Sequence, residues 1–255
     1  MPARLVTIPI SHFCEKARWA LHRAGVDYVE QPHLQLIHIA AARRAGGGRS
    51  VPVFVAGDGE VVADSTDILR WADRRLADDR RVYPNGELGD EAAALEEIFD
   101  EGLGPDSRLW IYHATLPIVA RLRPWAEAGL PRWEKLAFRG AGPLVNIGIS
   151  RALGVNDASA AAALENVERV FDDVAARLAD GRRFLLGDRF TAADLTFGAL
   201  SAAMLLPGGY GSPLPPPEAL PDVAARHVRS LRGHPAGAFA GRLYREERWA
   251  RRAGA

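Results

Sequence analysis

Ser11 and Cys14 are the residues whose types and spacing best suit a chemical role. They stand three positions apart, directly after the short apolar run 5–8, and this pattern predicts a strand, a tight turn and a helix. Where a helix begins, unpaired backbone N–H groups and the positive end of the helix dipole favour an anion such as a thiolate. Ser11 is therefore the first candidate for a catalytic residue. The alternative is a purely structural role, because serine is one of the commonest helix N-cap residues.

The Ser11-x-x-Cys14 spacing looks like a C-x-x-C redox motif in which serine replaces the first cysteine. Two further patterns follow it, first Val51-Pro52 and then the acidic-hydroxyl pair at positions 64–65. In this order, the three patterns resemble the N-terminal domain of cytosolic glutathione transferases, which is thioredoxin-like. The resemblance is strong over residues 4–80 and extends over the whole chain in outline.

The resemblance implies roles for five residues of the first domain. In the family, the residue at the position of Ser11 activates the thiol of glutathione. The residue before a cis proline, here Val51 before Pro52, offers its backbone to the peptide. An acidic residue and a serine, here Asp64 and Ser65, bind the γ-glutamyl end. Generic helix capping is the alternative for this pair, and the agreement of all three patterns favours ligand binding.

Arg49 is a further candidate ligand, because it follows a segment that lines the glutathione site in this family. Residues 34–44 have a helix-like apolar pattern, which ends at three consecutive glycines, 46–48. Glycines offer no fixed backbone conformation and no side chains to pack, so mobility is expected there. A cation in this segment can meet the glycine carboxylate of glutathione. The alternative is an ordinary solvated arginine.

Composition and charge exclude several classes of protein. The chain has 255 residues, of which 48% are apolar, enough for a real core in one large or two modest domains. Lys+Arg and Asp+Glu number 32 each, so no excess charge attracts nucleic acid or an anionic membrane. The single cysteine excludes an intrachain disulfide. With no signal-like start and no apolar run near about 18 residues, a cytoplasmic protein is expected.

The elements expected around these residues make an α/β thioredoxin-like domain over residues 1–80. The run 4–8 fits a central strand, and a helix over 13–24 ends at Gly25 as its C-cap. The alternating run 28–31 predicts a second strand parallel to the first, because a helix connects the two. An antiparallel hairpin at 51–63 and a helix from Ser65 complete this domain.

An all-α C-terminal domain is expected over residues 91–255, after a polar, turn-rich linker at 79–90. No strand-like alternation occurs in this part of the sequence. By outline only, the family resemblance assigns the acceptor-substrate side of the cleft to the helix around Trp110, Tyr112 and His113. Helices are expected at 92–112, 117–128, 133–153, 158–179, 191–206, 221–231 and 234–251.

Two patterns in the second domain are interpreted as structural. Thr191 and Asp194 form a hydroxyl-x-x-acid capping pattern ahead of an apolar run. The family carries such a box at the start of a buried central helix, which agrees with a role in folding. The loop 207–217 is rich in proline and glycine and longer than a helix–helix connection needs. A plain surface loop is favoured for it over a flank of the acceptor pocket.

A metal site and a hydrolase are not expected from this sequence. Its histidines lack a paired spacing such as H-x-x-x-H, and one cysteine cannot supply a thiolate cluster. Ser11 next to His12 suggests a nucleophile and a base, but no Gly-x-Ser-x-Gly elbow occurs. Haem-associated relatives share a similar start motif, yet nothing in the sequence fixes an iron ligand.

The expected function is that of a glutathione transferase, with glutathione as co-substrate and a small apolar electrophile as acceptor. Thiol addition or substitution is the expected reaction, without a metal. A two-fold homodimer is expected, as in the family, and no nucleic-acid or membrane partner. Two alternatives remain: a non-catalytic module of this fold used for protein association, and a glutathione-dependent isomerase, dehalogenase or oxidoreductase. A different low-molecular-weight thiol also remains open.

Overall fold

A mixed four-stranded sheet forms the centre of the first part of the chain. The computed structural model describes residues 1–250, except for the side chains at positions 138 and 140–145. The strand order is β2-β1-β3-β4; β1 and β2 are parallel, and β3 pairs antiparallel with both β1 and β4. The elements of this part are β1 Arg4–Thr7, α1 His12–Arg23, β2 Val29–Pro32, α2 Ile37–Arg44, β3 Val53–Val55, β4 Val61–Ala63 and α3 Ser65–Asp73.

The central position of β1 follows from its apolar side chains. Leu5 is fully buried and pairs with Glu30 of β2 on one side and Phe54 of β3 on the other. The predicted strand–helix–strand unit with parallel strands is confirmed, and so is the hairpin of β3 and β4. Cys14 packs into the core without solvent exposure, as expected for a small apolar side chain.

Eight helices follow within the described residues up to 250, so the predicted order of an α/β part and an all-helical part is confirmed. Their bounds are α4 Glu87–Ile98, α5 Gly104–Thr115, α6 Val119–Ala126, α7 Arg132–Leu153, α8 Asp157–Leu178, α9 Ala192–Leu205, α10 Asp222–Gly233 and α11 Pro235–Glu246. Short 3-10 turns lie at Asp78–Arg80, Leu116–Ile118 and Pro217–Ala219. The last predicted helix extends further than α11, and its end at residue 251 lies outside the described residues, as does the rest of the predicted domain to 255.

The single helix predicted over 92–112 is interrupted. A π turn, Phe99–Leu103, separates α4 from α5. It widens the backbone just before Gly104, where a Cβ atom would lie 2.5 Å from Cζ of Phe13. Only glycine allows α5 to approach the start of α1 this closely, and π turns often occur beside functional sites.

The central helix α9 is buried along almost its whole length and is capped as predicted. Asp194 Oδ2 accepts hydrogen bonds of 2.8 Å from the Thr191 N–H and 2.9 Å from the Thr191 hydroxyl. Asp194 Oδ1 accepts a third from the Leu185 N–H at 2.8 Å. Burial nevertheless raises the pKa of Asp194 to about 6. The capping box thus joins α9 to the segment before it, as a folding role requires.

A buried ionic cluster joins the two parts of the chain. Lys16 Nζ of α1 lies 2.6 Å from Glu96 Oε1 and 2.5 Å from Asp100 Oδ2. The Thr66 hydroxyl at the start of α3 contacts the same two carboxylates, at 2.7 and 2.6 Å. Burial raises the pKa of Asp100, and the Lys16 ammonium opposes this rise. This cluster fixes the starts of α1 and α3 against α4.

In residues 1–250, none of the helices combines the length and the apolar character needed to cross a membrane. The same part of the chain contains no group of three or more His, Cys, Asp or Glu side chains arranged to hold a metal ion.

Candidate active site

A cavity of about 340 Å³ lies between the sheet part and the helical part. It is lined by the turn 8–13 and Val51, by the segment 33–38, by α5 to α7 and by the loop 207–217. The volume is in the range of small-molecule sites. Most of its wall is apolar, including Phe13, Ile111, Leu116, Val119, Leu122, Trp125, Ile149 and Leu206.

Ser11 lines this cavity and is the N-cap of α1. Its backbone is extended, with φ −72° and ψ 122°, and its Oγ accepts a hydrogen bond of 3.3 Å from the Cys14 N–H. The structural alternative for Ser11 is therefore realised. A hydroxyl has two acceptor lone pairs and one O–H donor, and the cap uses only a lone pair. Capping and donation to a ligand are compatible in one side chain.

Cys14 is held away from ligand chemistry. Its thiol is fully buried, and burial raises its pKa, although the nearby Arg18 guanidinium acts in the opposite direction. A protonated, buried thiol is a poor nucleophile. At the start of α1, Ser11 rather than Cys14 faces the cavity.

His12 anchors the start of α1 to α5. Its Nε2 lies 2.9 Å from the Gly104 carbonyl oxygen, and since a carbonyl only accepts, Nε2 carries the proton. Burial, together with the Arg108 guanidinium, lowers the pKa of His12 to about 3. The ring is thus neutral at ordinary pH and holds the turn that presents Ser11. A role as general base is disfavoured by this low pKa.

The loop before β3 contains the predicted cis bond, between Val51 and Pro52. Val51 lies in the cavity wall. The Pro52 carbonyl accepts a hydrogen bond of 3.3 Å from the Asp64 N–H, whereas the backbone N–H and C=O of Val51 have no backbone partner within the described residues. Two unpaired main-chain groups of Val51 are therefore available to an extended peptide.

The pair Asp64 and Ser65 stands at the junction of β4 and α3. Asp64 has φ 85° and ψ 145°, a conformation that costs on the order of 1–3 kcal/mol for a residue other than glycine. Its Oδ1 caps α3 by accepting from the Thr66 N–H at 2.8 Å. Ser65 is buried, whereas Asp64 is exposed. Neither lines the cavity, but the hydrogen bond from Asp64 to Pro52 ties them to its wall. Such strained residues cluster at ligand sites.

Arg49 and the three residues predicted on α5 occupy different environments. Arg49 is exposed and outside the cavity wall, next to Ser50, which lies in it. Tyr112 lines the cavity, and burial raises the pKa of its phenol. Trp110 is buried against His227, with a ring separation of 5.9 Å. His113 is half-buried and outside the cavity wall, and its Nε2 lies 2.8 Å from Asp157 Oδ1.

Helical geometry explains this separation. Residues four apart share a helix face, whereas residues two apart do not. The cavity face of α5 therefore carries Arg108 together with Tyr112 and excludes Trp110. Arg108 was not among the residues singled out from the sequence, although its spacing from Tyr112 is a signal that identifies it.

The loop 207–217 forms part of the cavity wall, so the preference for a plain surface loop was wrong. Tyr210, Leu214 and Pro215 line the cavity. The Tyr210 hydroxyl donates to the Ile10 carbonyl at 3.2 Å, next to Ser11. Proline restricts the backbone and holds this long connection against the site.

The segment after β2, which lines the cavity, is held by a contact with α7. Glu134 is fully buried; its Oε1 accepts from His33 Nδ1 at 2.6 Å and its Oε2 from the Leu34 N–H at 2.8 Å. The Glu134 carboxylate thus joins α7 to His33 and Leu34, both of which line the cavity.

Comparison with known proteins agrees with this architecture. A model described as the N-terminal domain of glutathione S-transferase matches residues 5–80, and one described as the C-terminal domain matches residues 157–225. No curated protein matches the sequence.

Solved structures of glutathione transferases superpose over almost the whole chain. Glutathione S-transferase III in its apo form is 18% identical, with a TM-score of 0.62 and coverage of 98% of this chain and 94% of that one. Transferase F2 of Populus trichocarpa is 18% identical, with a TM-score of 0.61 and coverage of 97% and 95%. A transferase of Methylobacillus flagellatus with GSH bound is 16% identical, with a TM-score of 0.59 and coverage of 97% and 96%.

At such identities these structures show the shared fold, a thioredoxin-like part followed by an all-helical part. The two family models together match more than half of the chain, in the order in which its two parts occur. The chain belongs to the glutathione S-transferase superfamily.

Proposed function

We propose that this protein is a glutathione transferase that activates the thiol of glutathione with Ser11 and adds it to an apolar electrophile in the cavity. The observation that carries this proposal is the position of Ser11. Its side chain caps α1 with a lone pair, keeps its O–H as a donor, and lies in the wall of a largely apolar cavity.

The proposed reaction starts from an ionised thiol. A hydroxyl donor and the positive end of α1 both stabilise a thiolate at Ser11. Lowering a thiol pKa by about two units corresponds to about 2.7 kcal/mol of preferential stabilisation. In an addition, the sulfur lone pair forms the C–S bond and the resulting carbanion takes a proton from water. In a substitution, the leaving group departs with its bonding electrons.

The proposed glutathione subsite runs from Ser11 past Val51 to the start of α3. The free main-chain groups of Val51 suit the peptide backbone, and the Asp64 carboxylate suits the γ-glutamyl ammonium, with Ser65 beside it for the α-carboxylate. Arg49 is the proposed partner of the glycine carboxylate. Support comes from family membership and from similar transferases solved with GSH or with lactoylglutathione bound.

The proposed assembly is a two-fold homodimer of a cytoplasmic protein. In a closed isologous dimer the same patch meets its own copy. Val61 on the edge strand β4 and Ile98 at the end of α4 are exposed apolar side chains, one on each part of the chain. They support an interface in which the sheet part of one subunit meets the helical part of the other. Sedimentation at micromolar concentration would distinguish this dimer from a monomer.

The test of the proposed function is a calorimetric titration with glutathione, followed by assays with a panel of electrophiles and disulfides. We expect saturable binding of glutathione and thioether formation with apolar electrophiles. Retention of glutathione without turnover of any electrophile would instead favour a non-catalytic module. Turnover restricted to disulfides would favour an oxidoreductase. Failure to bind glutathione at millimolar concentration would contradict the proposal.

A further inference from the structure

Arg108 is an unpaired cation in the wall of an otherwise apolar cavity. Among the described residues that line the cavity it is the one arginine or lysine, and none of them is aspartate or glutamate. Within residues 1–250, the guanidinium of Arg108 forms no ion pair or hydrogen bond. It lies near the Phe13 ring, whose centroid is 5.8 Å away. The cavity therefore contains a charge whose partner is not supplied by the described protein.

Two fully buried arginines of this chain are ion-paired, whereas the half-buried Arg108 has no such partner within the described residues. Arg18 contacts Glu30 with Nε at 2.9 Å and Nη2 at 2.6 Å. Arg248 Nε lies 2.6 Å from Glu15 Oε1. Removing a charge from water is unfavourable unless an opposite charge or hydrogen bonds compensate. The half-buried guanidinium of Arg108 has no counter-charge in the cavity wall, and an anionic ligand would supply one.

The charge of Arg108 acts on its surroundings. After burial, it is the second cause that lowers the pKa of His12, and it opposes the rise in the pKa of the Tyr112 phenol. Since His12 is neutral and His33 is engaged with Glu134, Arg108 provides the positive potential near the turn 8–13.

The position of Arg108 on α5 indicates the shape of a matching ligand. One face of α5 lines the cavity with side chains at three-and-four spacing, namely Arg108, Ile111, Tyr112 and Thr115. Arg108 lies at the end of this face nearest to the turn that presents Ser11 and Phe13, and the residues beyond it are mainly apolar. A matching ligand has an anionic group at one end and an apolar body extending outwards.

We infer that the acceptor substrate is an apolar electrophile that carries a carboxylate, bound by the guanidinium of Arg108. The inference rests on the proposed transferase function where it assigns this ligand the role of acceptor. A planar guanidinium binds a carboxylate through two parallel hydrogen bonds, which also orients the bound molecule. Arg108 thereby selects anionic over neutral acceptors of the same shape.

The test is calorimetric binding of two isosteric, unreactive probes, 4-phenylbutanoate and 4-phenylbutanamide, to the full chain without glutathione. We expect the acid to bind at least tenfold more tightly than the amide, as a charge-assisted hydrogen bond implies. Arg108→Met, which keeps an apolar stem, should remove this preference by weakening the acid alone. Arg108→Lys should retain part of it. Arg226→Gln, at an exposed site on α10, should leave both affinities unchanged.

Three outcomes would overturn the inference. The wild-type protein binds neither probe at millimolar concentration, it binds both equally, or Arg108→Met weakens both equally because Arg108 only packs against Phe13. A titration with glutathione separates a further case: if Arg108→Met weakens glutathione and not the acid, Arg108 serves the thiol peptide. Because the probes are tested without glutathione, failure to bind glutathione would remove the transferase proposal and leave the anion site standing.

Discussion

Glu15 and Arg248 form a buried ion pair across the length of the chain, with 2.6 Å between Arg248 Nε and Glu15 Oε1. The second oxygen of Glu15 accepts from the Gly211 N–H at 3.0 Å. A single carboxylate of α1 therefore holds both the segment after α11 and the loop 207–217 that lines the cavity. Separating the two partners of such a pair leaves an uncompensated buried charge. The packing around Glu15 is therefore expected to tolerate little change.

Gly211→Ala should destabilise the protein by about 1–3 kcal/mol through overpacking. A Cβ at Gly211 would lie 2.6 Å from both Arg18 Cδ and Glu15 Oε2. Gly208→Ala is the matched control in the same loop, because its Cβ would meet no atom within 4 Å. Urea unfolding of both variants measures the difference. Equal stability of the two variants would show that the packing around Glu15 accommodates the added methyl group without loss of stability.

Replacing Ser11 should abolish most conjugation without abolishing the binding of glutathione. Ser11→Ala also removes the helix cap, which costs about 0.5–2 kcal/mol, whereas glycine costs only a few tenths. Ser11→Gly therefore separates the hydroxyl from the cap, and both variants should lose rate to a similar extent. Both should raise the pKa of the bound thiol, measured from thiolate absorbance against pH. Cys14→Ala should change mainly stability. Full activity in Ser11→Gly would limit Ser11 to capping.

Asp64→Gly should weaken glutathione binding at least tenfold while the fold is retained, since a charge-assisted hydrogen bond contributes about 1.5–3 kcal/mol. Glycine adopts the φ of 85° at this position without strain, so the loss reports on the carboxylate. Asp64→Ala should bind as weakly and also unfold more easily. Calorimetry and urea unfolding separate the two effects. Unchanged affinity in Asp64→Gly would mean that the γ-glutamyl group binds elsewhere.

The stability of the protein should contain a component that falls as pH rises between about 4 and 6, from Asp194. Burial raises its pKa from 3.8 to about 6, so the folded state holds a proton that the unfolded chain has lost. The contribution of Asp194 to the free energy of unfolding is complete below the unfolded-state pKa of 3.8. It falls by about 3 kcal/mol as the pH rises past the folded-state pKa of about 6. Asp194→Asn should lack this slope, whereas exposed Asp173→Asn should keep it. A slope of opposite sign would mean that the hydrogen bonds to Asp194 outweigh its burial.

Local patterns predicted the elements around the site, because each rests on chemistry within a few residues. The N-cap geometry of Ser11, the inward position of Cys14 and the capping box of Thr191 and Asp194 are such cases. It was harder to predict which residues of α5 line the cavity, because Trp110 and Tyr112 are both large aromatic residues that the sequence does not distinguish. Which face meets the cavity depends on how α5 packs.

The position of loop 207–217 could not be predicted for a related reason. It is held by Glu15 of α1 and by the carbonyl of Ile10, far away in sequence. The π turn before Gly104 likewise interrupts a pattern that reads as one continuous helix. Both features arise from long-range contacts that leave no local periodicity.

The hydrogen bonds that Glu134 accepts from His33 and Leu34 have a consequence for product release. A conjugate joins two molecules that arrived separately, so it needs a wider exit than either needed on arrival. His33 and Leu34, which line the cavity, are held to α7 by this one carboxylate. For the proposed transferase, release of this contact, rather than formation of the C–S bond, is then expected to limit turnover. Rapid mixing should reveal a burst of product in the first cycle, followed by a slower steady rate set by the release of this contact.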